Sequence, residues 1–403
     1  MDTLTKRVLS KQIQLYRMLS CISVERFTDE IGIGKATYHR MVLQPAMTKT
    51  DTYWKILNAL GLTYQKDQLM NLLEQEIGAL HCALLYFQQK ECLVYIEAMI
   101  RKLETAPNEI SCMNIKVFLL KLHSYFSEHS YLSEGNIDAF MQFHTIFKEE
   151  LSEIICFYCV CSCAKISNQI ERTIYEKYSE LQTMDYLPIK VYLMKKYRHD
   201  YAFEEMILLG KKIKDEAKQS KNKMILYEYY SCMANYYIQN EPVKALKALE
   251  KMRTIAAVAP FPLIKKKQFY KNYASYCMKK RNYAAALPFL YRMLEIPEQH
   301  CHSYVDVVIN ILFCESQLMK ETDLSKFKKM NEQYFSSKAE YRLYCYFCEK
   351  NKFSDEKKLN YLEKQILPCL TFHDHIARYQ VKEELSLLPD TKKKWRLFYL
   401  LQQ

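Results

Sequence analysis

Glycine is scarce in this chain: six of the 403 residues are glycine, and only Gly210 lies beyond Gly135. Sheets with tight turns and loops that cradle phosphate both depend on glycine, so this distribution argues against both. Leucine, lysine, glutamate, tyrosine and alanine are abundant instead and point to helix. We therefore expect an all-α fold.

The sequence also lacks the motifs of common enzymes. It has no nucleophile elbow, Walker loop, zinc-protease motif or paired-carboxylate signature. The strongly apolar run 154–164 is shorter than the roughly twenty residues that cross a bilayer, and no signal peptide is recognisable. We expect a cytoplasmic protein that is not an enzyme, carries no cofactor and has no membrane partner.

Fifteen cysteines are present without an even framework of the kind seen in short secreted proteins, which agrees with a reducing cytoplasm. Four of them cluster at Cys156, Cys159, Cys161 and Cys163. On a helix three of these share one face, whereas zinc knuckles usually pair cysteines across a turn. Buried small hydrophobic residues are the favoured interpretation, and a metal or redox site is the alternative.

Residues 9–61 carry the pattern of several short helices. Leu9 and Ile13 recur at helical spacing in the first. Ser23 is placed to cap the second, and Gly32 to end it in a left-handed conformation, as Gly61 does for the last. The predicted helices begin near residue 9 and then cover 24–31, 35–43 and 51–60.

This segment resembles the helix-turn-helix of the phage-repressor or xenobiotic-response-element family. Arg17 lies where the family has its helix-one arginine, and Ser23 where a threonine opens helix two. Residues 32–33 match its Gly-Ile pair, and the interval from Arg40 to Gly61 needs no gap. The resemblance implies a DNA-binding domain over residues 1–63.

The segment also departs from that family. Val24 replaces the usual glutamine that steadies a phosphate, Tyr38 occupies a usually aliphatic core position, and residues 43–45 replace an Asn-Gly turn. These departures favour the alternative of a three-helix packing module whose basic residues are merely solvated. For the whole chain, that alternative is a protein-interaction adaptor without DNA-binding activity.

The resemblance implies that the third helix enters the major groove. Lys35 and Arg40 are then the candidates for bonding guanine edges, because basic side chains reach those acceptors. Ala36 is placed to touch a thymine methyl, while the remaining residues suit backbone contacts. The residues expected at the DNA are Arg17, Ser23, Lys35, Ala36, Thr37, His39, Arg40 and Lys49.

Beyond residue 63 the pattern is helix, short break, helix. Ala234 and Ala274 occupy matching places in two helix pairs, forty residues apart. This resembles the tetratricopeptide repeat (TPR), although its period of about thirty-four, its tryptophan and its glycine are not kept. Segments 191–218, 304–330 and 341–367 read as further pairs. We expect a linker helix over 64–80 and a right-handed superhelical array of TPR-like pairs over 81–403.

Stacked pairs form a concave wall that suits an extended peptide. Amide side chains there can bond the peptide backbone, and tyrosines can select side chains. The structural alternative is that these residues belong to ordinary helix surfaces. The candidate peptide-binding residues are Tyr230, Asn235, Asn272, Tyr276, Asn310 and Phe313.

The whole architecture resembles the peptide-pheromone-sensing regulators of Gram-positive bacteria, of the Rgg, PlcR and PrgX type. It implies a quorum-sensing transcription factor, homodimeric through the repeat domain, that binds a near-palindromic double-stranded operator and a short signalling peptide. A net charge of +12 suits a nucleic-acid partner. Residues 1–62 hold nine basic and five acidic residues, so most of the excess lies in the larger region.

Overall fold

The computed structural model describes residues 1–106, 108–128, 130–166, 176–258, 261–296, 301–320, 324, 327, 330–335, 337–371 and 374–401. Over these residues the protein is all-α, as predicted, with short 3-10 turns and one isolated bridge between Thr63 and Glu109. None of the helices formed by these residues has the length and apolar character that a bilayer crossing needs. The helices are α1 (Thr3–Leu19), α2 (Val24–Glu30), α3 (Lys35–Leu43), α4 (Thr50–Ala59), α5 (Gln68–Leu85), α6 (Gln89–Thr105), α7 (Ile110–Glu128), α8 (Glu134–Phe143), α9 (Glu149–Ile166), α10 (Leu187–His199), α11 (Phe203–Gln219), α12 (Lys223–Asn240), α13 (Pro242–Ala256), α14 (Leu263–Lys279), α15 (Tyr283–Glu295), α16 (Cys301–Gln317), α17 (Lys338–Glu349), α18 (Asp355–Tyr361), α19 (His375–Ser386) and α20 (Lys392–Leu400).

The chain divides into two compact units, residues 1–229 (unit 1) and 230–403 (unit 2), and the division falls inside α12. The predicted boundaries at 63 and 80 do not coincide with it. Helix α5 begins four residues and ends five residues later than the expected linker helix, and Leu73, Ile77 and Leu80 bury its inner face in the core of unit 1.

Helices α1 to α4 enclose a core of their own, in which Leu9, Phe27, Met41 and Ile56 are fully buried. Apart from the first, their ranges agree with the predicted ones to within one residue. Helix α1 begins earlier than expected because Asp2 caps it, with Thr5 N donating to Asp2 Oδ1 at 2.7 Å.

The ends of these helices are set by the predicted residues. Ser23 Oγ accepts a hydrogen bond from Arg26 N at 3.2 Å and so caps α2. Gly32 and Gly61 both have φ of +64°, a left-handed conformation that glycine adopts without strain. Local sequence therefore determines where α2 and α4 stop.

Helix α1 contributes to two cores at once. Leu9 and Ile13 belong to the core of α1 to α4, whereas Leu15 packs among the residues of the following helices. Buried Asn114 on α7 donates through Nδ2 to Gln12 O at 3.0 Å and to Gln12 Oε1 at 2.6 Å. The first four helices are thus joined to the rest of unit 1 through α1.

A second connection lies at the start of α7. Thr63 N donates to Asn108 O at 2.8 Å, and Ile110 N donates to Thr63 O at 3.0 Å. The Ile110 side chain is fully buried in the core of α1 to α4. Residues 63 and 108–110 therefore tie the end of the first segment to α7.

The clustered cysteines lie on α9, inside unit 1. The side chains of Cys156, Cys159, Cys161 and Cys163 are all at most 2% exposed. Burial raises the pKa of the Cys161 thiol to about 12, so this thiol stays protonated at neutral pH. Their packing agrees with the favoured interpretation of these residues as small core side chains.

Pairs of consecutive helices occur where the sequence predicted them. The pair α10 and α11 matches segment 191–218, and α12 to α15 match the two central pairs; 304–330 lies partly outside the described residues. The predicted small residues Ala234 and Ala274 are fully buried. Gly210, inside α11, also lies against a close neighbour, since a Cβ there would lie 2.9 Å from Met194 Cε.

Unit 2 also buries an ion pair between Lys350 and Glu384. Lys350 Nζ lies 2.6 Å from Glu384 Oε2, and the two side chains are 10% and 3% exposed. Gln317 Nε2 and Ser316 Oγ donate to Glu384 Oε1, at 2.7 and 3.0 Å, and Tyr346 OH donates to Oε2 at 3.2 Å. Desolvation lowers the pKa of Lys350 despite its partner.

Candidate nucleic-acid interface

Helix α3 has one buried and one exposed face. Tyr38 and Met41 point into the core, at 2% and 0% exposure. The opposite face is exposed. Four of its residues form what we call the recognition face: Lys35, Ala36, His39 and Arg40.

The buried face of α3 is held by an aromatic and a basic side chain. The rings of Tyr38 and Phe27 meet edge to face, with centroids 5.7 Å apart. Arg17 Nε donates to Tyr38 OH at 3.0 Å, and Arg17 Nη1 donates to Ile22 O at 2.6 Å. Tyr38 is therefore accommodated in the core, and its hydroxyl is satisfied.

The recognition face carries positive charge that is open to solvent. Lys35 Nζ lies 3.2 Å from Glu25 Oε1 on α2, and the two side chains are 52% and 61% exposed. An exposed pair of this kind contributes little to stability and separates easily. No ion pair or hydrogen bond among the described residues holds the Arg40 side chain, so it can turn toward a ligand.

The other predicted DNA contacts lie around α3. Lys49 is exposed and directly precedes α4, and Thr37 is half-buried. Ser23 is exposed and caps α2. Arg17 is half-buried, and its guanidinium bonds Tyr38 and Ile22, so in this structure it braces the domain.

Three large apolar side chains on α3, on α4 and in the turn between them are exposed, which the sequence reasoning missed. Leu43 ends α3 and is 78% exposed, and Met47 in the following 3-10 turn is 77% exposed. Trp54 on α4 is 41% exposed. Their apolar character was visible in the sequence, but no periodic pattern marked them as exposed.

In unit 2, the predicted amide residues bond within the protein. Asn235 Nδ2 donates to Ser231 O at 2.9 Å. Asn272 is 3% exposed and donates to Ser231 Oγ at 3.0 Å. Asn310 Nδ2 donates to Asp306 O at 2.8 Å, and its Oδ1 accepts from Gln380 Nε2 at 2.9 Å.

The predicted aromatic contacts have unequal access. Phe313 is fully buried in the core of unit 2, so its ring does not line an open surface in this structure. Tyr230 and Tyr276 are half-buried. Asn235 and Asn310 are half-buried as well, so Asn272 and Phe313 are the two of the six predicted residues that are buried.

Comparison with known protein families, with functionally described proteins and with solved structures finds no match for this chain.

Proposed function

We propose that the protein is a cytoplasmic transcriptional regulator that binds double-stranded DNA through α3 and responds to a short signalling peptide. One observation carries the DNA-binding part. The recognition face exposes Lys35 and Arg40 on a helix whose other face is fixed in a core by Tyr38 and Met41. A rigid helix with exposed basic side chains suits the major groove, where arginine and lysine bond guanine O6 and N7.

The resemblance to the Rgg, PlcR and PrgX type supports the peptide-sensing part, together with the helix pairs at the predicted positions. In this proposal the protein is a homodimer and its operator a near-palindrome. The hydrogen bonds of Gln12 with Asn114 offer a route by which α7 can influence α1. A change in the packing of α7 would then alter how α3 is presented.

A protein-interaction adaptor is the second candidate, and the exposed apolar side chains favour it. Leu43 is exposed on α3, Met47 in the turn that follows it and Trp54 on α4. Exposed apolar groups that lie together on a surface mark protein contacts in many domains. The two candidates differ in whether duplex DNA binds at all.

The test is duplex binding by the full-length protein as a function of salt. A duplex enriched from a random pool by the protein itself serves as the probe. Because each neutralised phosphate releases counterions, log K should fall linearly with log salt, with a slope of about −0.9 for each phosphate contacted. Lys49→Ala should reduce the slope by about one, since it removes one phosphate contact.

Lys11→Ala is the matched control, because Lys11 is an exposed lysine on α1 outside the predicted contact set. It should leave the slope unchanged. If no duplex is enriched and none is retained at low salt, the adaptor replaces the regulator as the function.

A further inference from the structure

Unit 2 contains a cavity whose wall combines aromatic rings with basic side chains. Its volume is about 390 Å³, and it lies among the end of α13 and the helices α14 and α15. This size is at the lower end of the range for small-ligand pockets. It has room for a small organic molecule or for the end of a peptide.

The aromatic part of the wall is centred on Phe289. Its ring centroid lies 4.5 Å from that of Tyr273 and 6.0 Å from that of Tyr270. Phe269 meets the same ring edge to face at 6.4 Å. Since these rings support one another, they form a ready surface for an aromatic or large aliphatic group.

The basic part of the wall consists of Arg253, Lys266 and Arg292. Among the residues that the structure describes, no acidic side chain lines the cavity, and no ion pair involves any of the three. Like charges around one cavity repel each other. An anion bound among them would relieve that repulsion.

Favourable interactions with helix dipoles explain the positions of two of the three basic side chains but not that of the third. Arg253 and Arg292 lie in the last turns of α13 and α15, where a positive charge is stabilised. Lys266 lies near the start of α14, where the dipole disfavours a cation and no acidic residue is present in the first turn. A negatively charged ligand would offset the unfavourable position of Lys266.

We propose that this cavity binds a carboxylate together with an adjacent aromatic or large apolar group, as presented by the acidic C-terminal end of a peptide. The inference rests on the proposed function and gives the chemical class of its peptide. The carboxylate would accept hydrogen bonds from the arginine side chains, and the apolar group would pack on Phe289. Tyr276, predicted to contact a peptide, is close by, with its ring centroid 6.2 Å from that of Tyr273.

The test measures binding to the full-length protein by titration calorimetry. The first probe is the peptide acetyl-Gly-Ser-Ile-Glu-Phe with a free C-terminus, and the second has glutamine for glutamate and a C-terminal amide. The acidic peptide should bind saturably and the neutral one at least about tenfold more weakly, because charge-assisted hydrogen bonds are lost. Acetyl-phenylalanine is the third probe, and its binding would identify a free small carboxylate as a sufficient ligand.

Arg253→Gln and Arg292→Gln should each weaken binding of the acidic peptide by about tenfold. Lys251→Gln is the matched control, since Lys251 is exposed on the same helix as Arg253 but outside the cavity wall. The proposal is overturned by equal affinity for the acidic and neutral peptides, by unchanged affinity in both arginine variants, or by no saturable binding at millimolar concentration.

The same variants separate this inference from the proposed function. If Arg253→Gln keeps duplex binding but no longer binds the acidic peptide, the result supports peptide binding at the cavity and DNA binding at α3 as two independent properties. Acidic-peptide binding by a protein that retains no duplex would contradict only the DNA-binding part. Duplex binding without any acidic-peptide binding would contradict only the cavity.

Discussion

Replacing Lys35 and Arg40 together by alanine is expected to weaken binding to the enriched duplex by about 2 to 6 kcal/mol, because each good contact to a guanine edge is worth about 1 to 3 kcal/mol. Both side chains are exposed on α3, so their removal should leave the fold intact. The measurement is a fluorescence titration at fixed salt, with circular dichroism to verify the helix content. Arg40→Ala alone should also relax the base preference at one position of the site.

Lys11→Ala again provides the control, because it removes an exposed basic side chain from α1 and leaves α3 unchanged. Its affinity should stay close to that of the unaltered protein. If the double variant binds the duplex as tightly as Lys11→Ala does, α3 does not read the bases.

Replacing Glu384 by glutamine is expected to destabilise unit 2 by about 3 to 5 kcal/mol, because Lys350 is then left as a buried charge without its partner. The side chains of the pair are 10% and 3% exposed, so water cannot compensate. The measurement is urea unfolding of the full-length protein. The exposed pair of Glu241 and Lys244 supplies the control, and Glu241→Gln should cost about 0 to 1 kcal/mol.

The loss should depend on pH in a defined direction. Without Glu384, the pKa of Lys350 in the folded protein falls further below its value in the unfolded chain. Between these two pKa values the unfolded chain binds more protons than the folded protein. Stability of the variant should therefore rise with pH there. Adding Lys350→Met to Glu384→Gln should restore much of the lost stability. If Glu384→Gln lowers the free energy of unfolding no more than Glu241→Gln does, the pair is not buried in solution.

Local signals predicted the short helices well. The range 35–43 of α3 was predicted from the sequence and is observed, and Ser23 and Gly32 set the ends of α2 as expected. Capping residues and left-handed glycines act within a few residues, so a sequence shows them directly. The all-α class followed from composition, because the low glycine content and the abundance of helix-forming residues can be read from the sequence directly.

Tertiary partners were not predictable in the same way. Helical spacing marks Leu9 and Ile13 as buried, but it does not show that Leu15 enters a second core and that α1 contributes to both. The division of the chain inside α12 likewise reflects contacts between residues and not a local sequence pattern. The contacts of Gln12 with Asn114, far apart in the chain, leave no local signal.

The candidate site shows the same limit. From the resemblance to the phage-repressor family we expected Arg17 to contact DNA, and Tyr38 was a departure from the family pattern. In the structure the two are partners: the tyrosine fills the core, and the arginine satisfies its hydroxyl. Likewise, Asn272 has a type suited to peptide binding, yet it bonds Ser231 inside unit 2. Residue type alone does not separate an internal bond from a ligand contact.

The central claim is that α3 enters the major groove and reads guanine, and methylation interference tests it most directly. Methylation at guanine N7 blocks the major-groove edge that Arg40 and Lys35 would bond. We expect specific modified guanines to prevent binding by the full-length protein, and the interference at one of them to disappear in Arg40→Ala. Binding unaffected by guanine N7 methylation at every position of the enriched duplex would contradict the account.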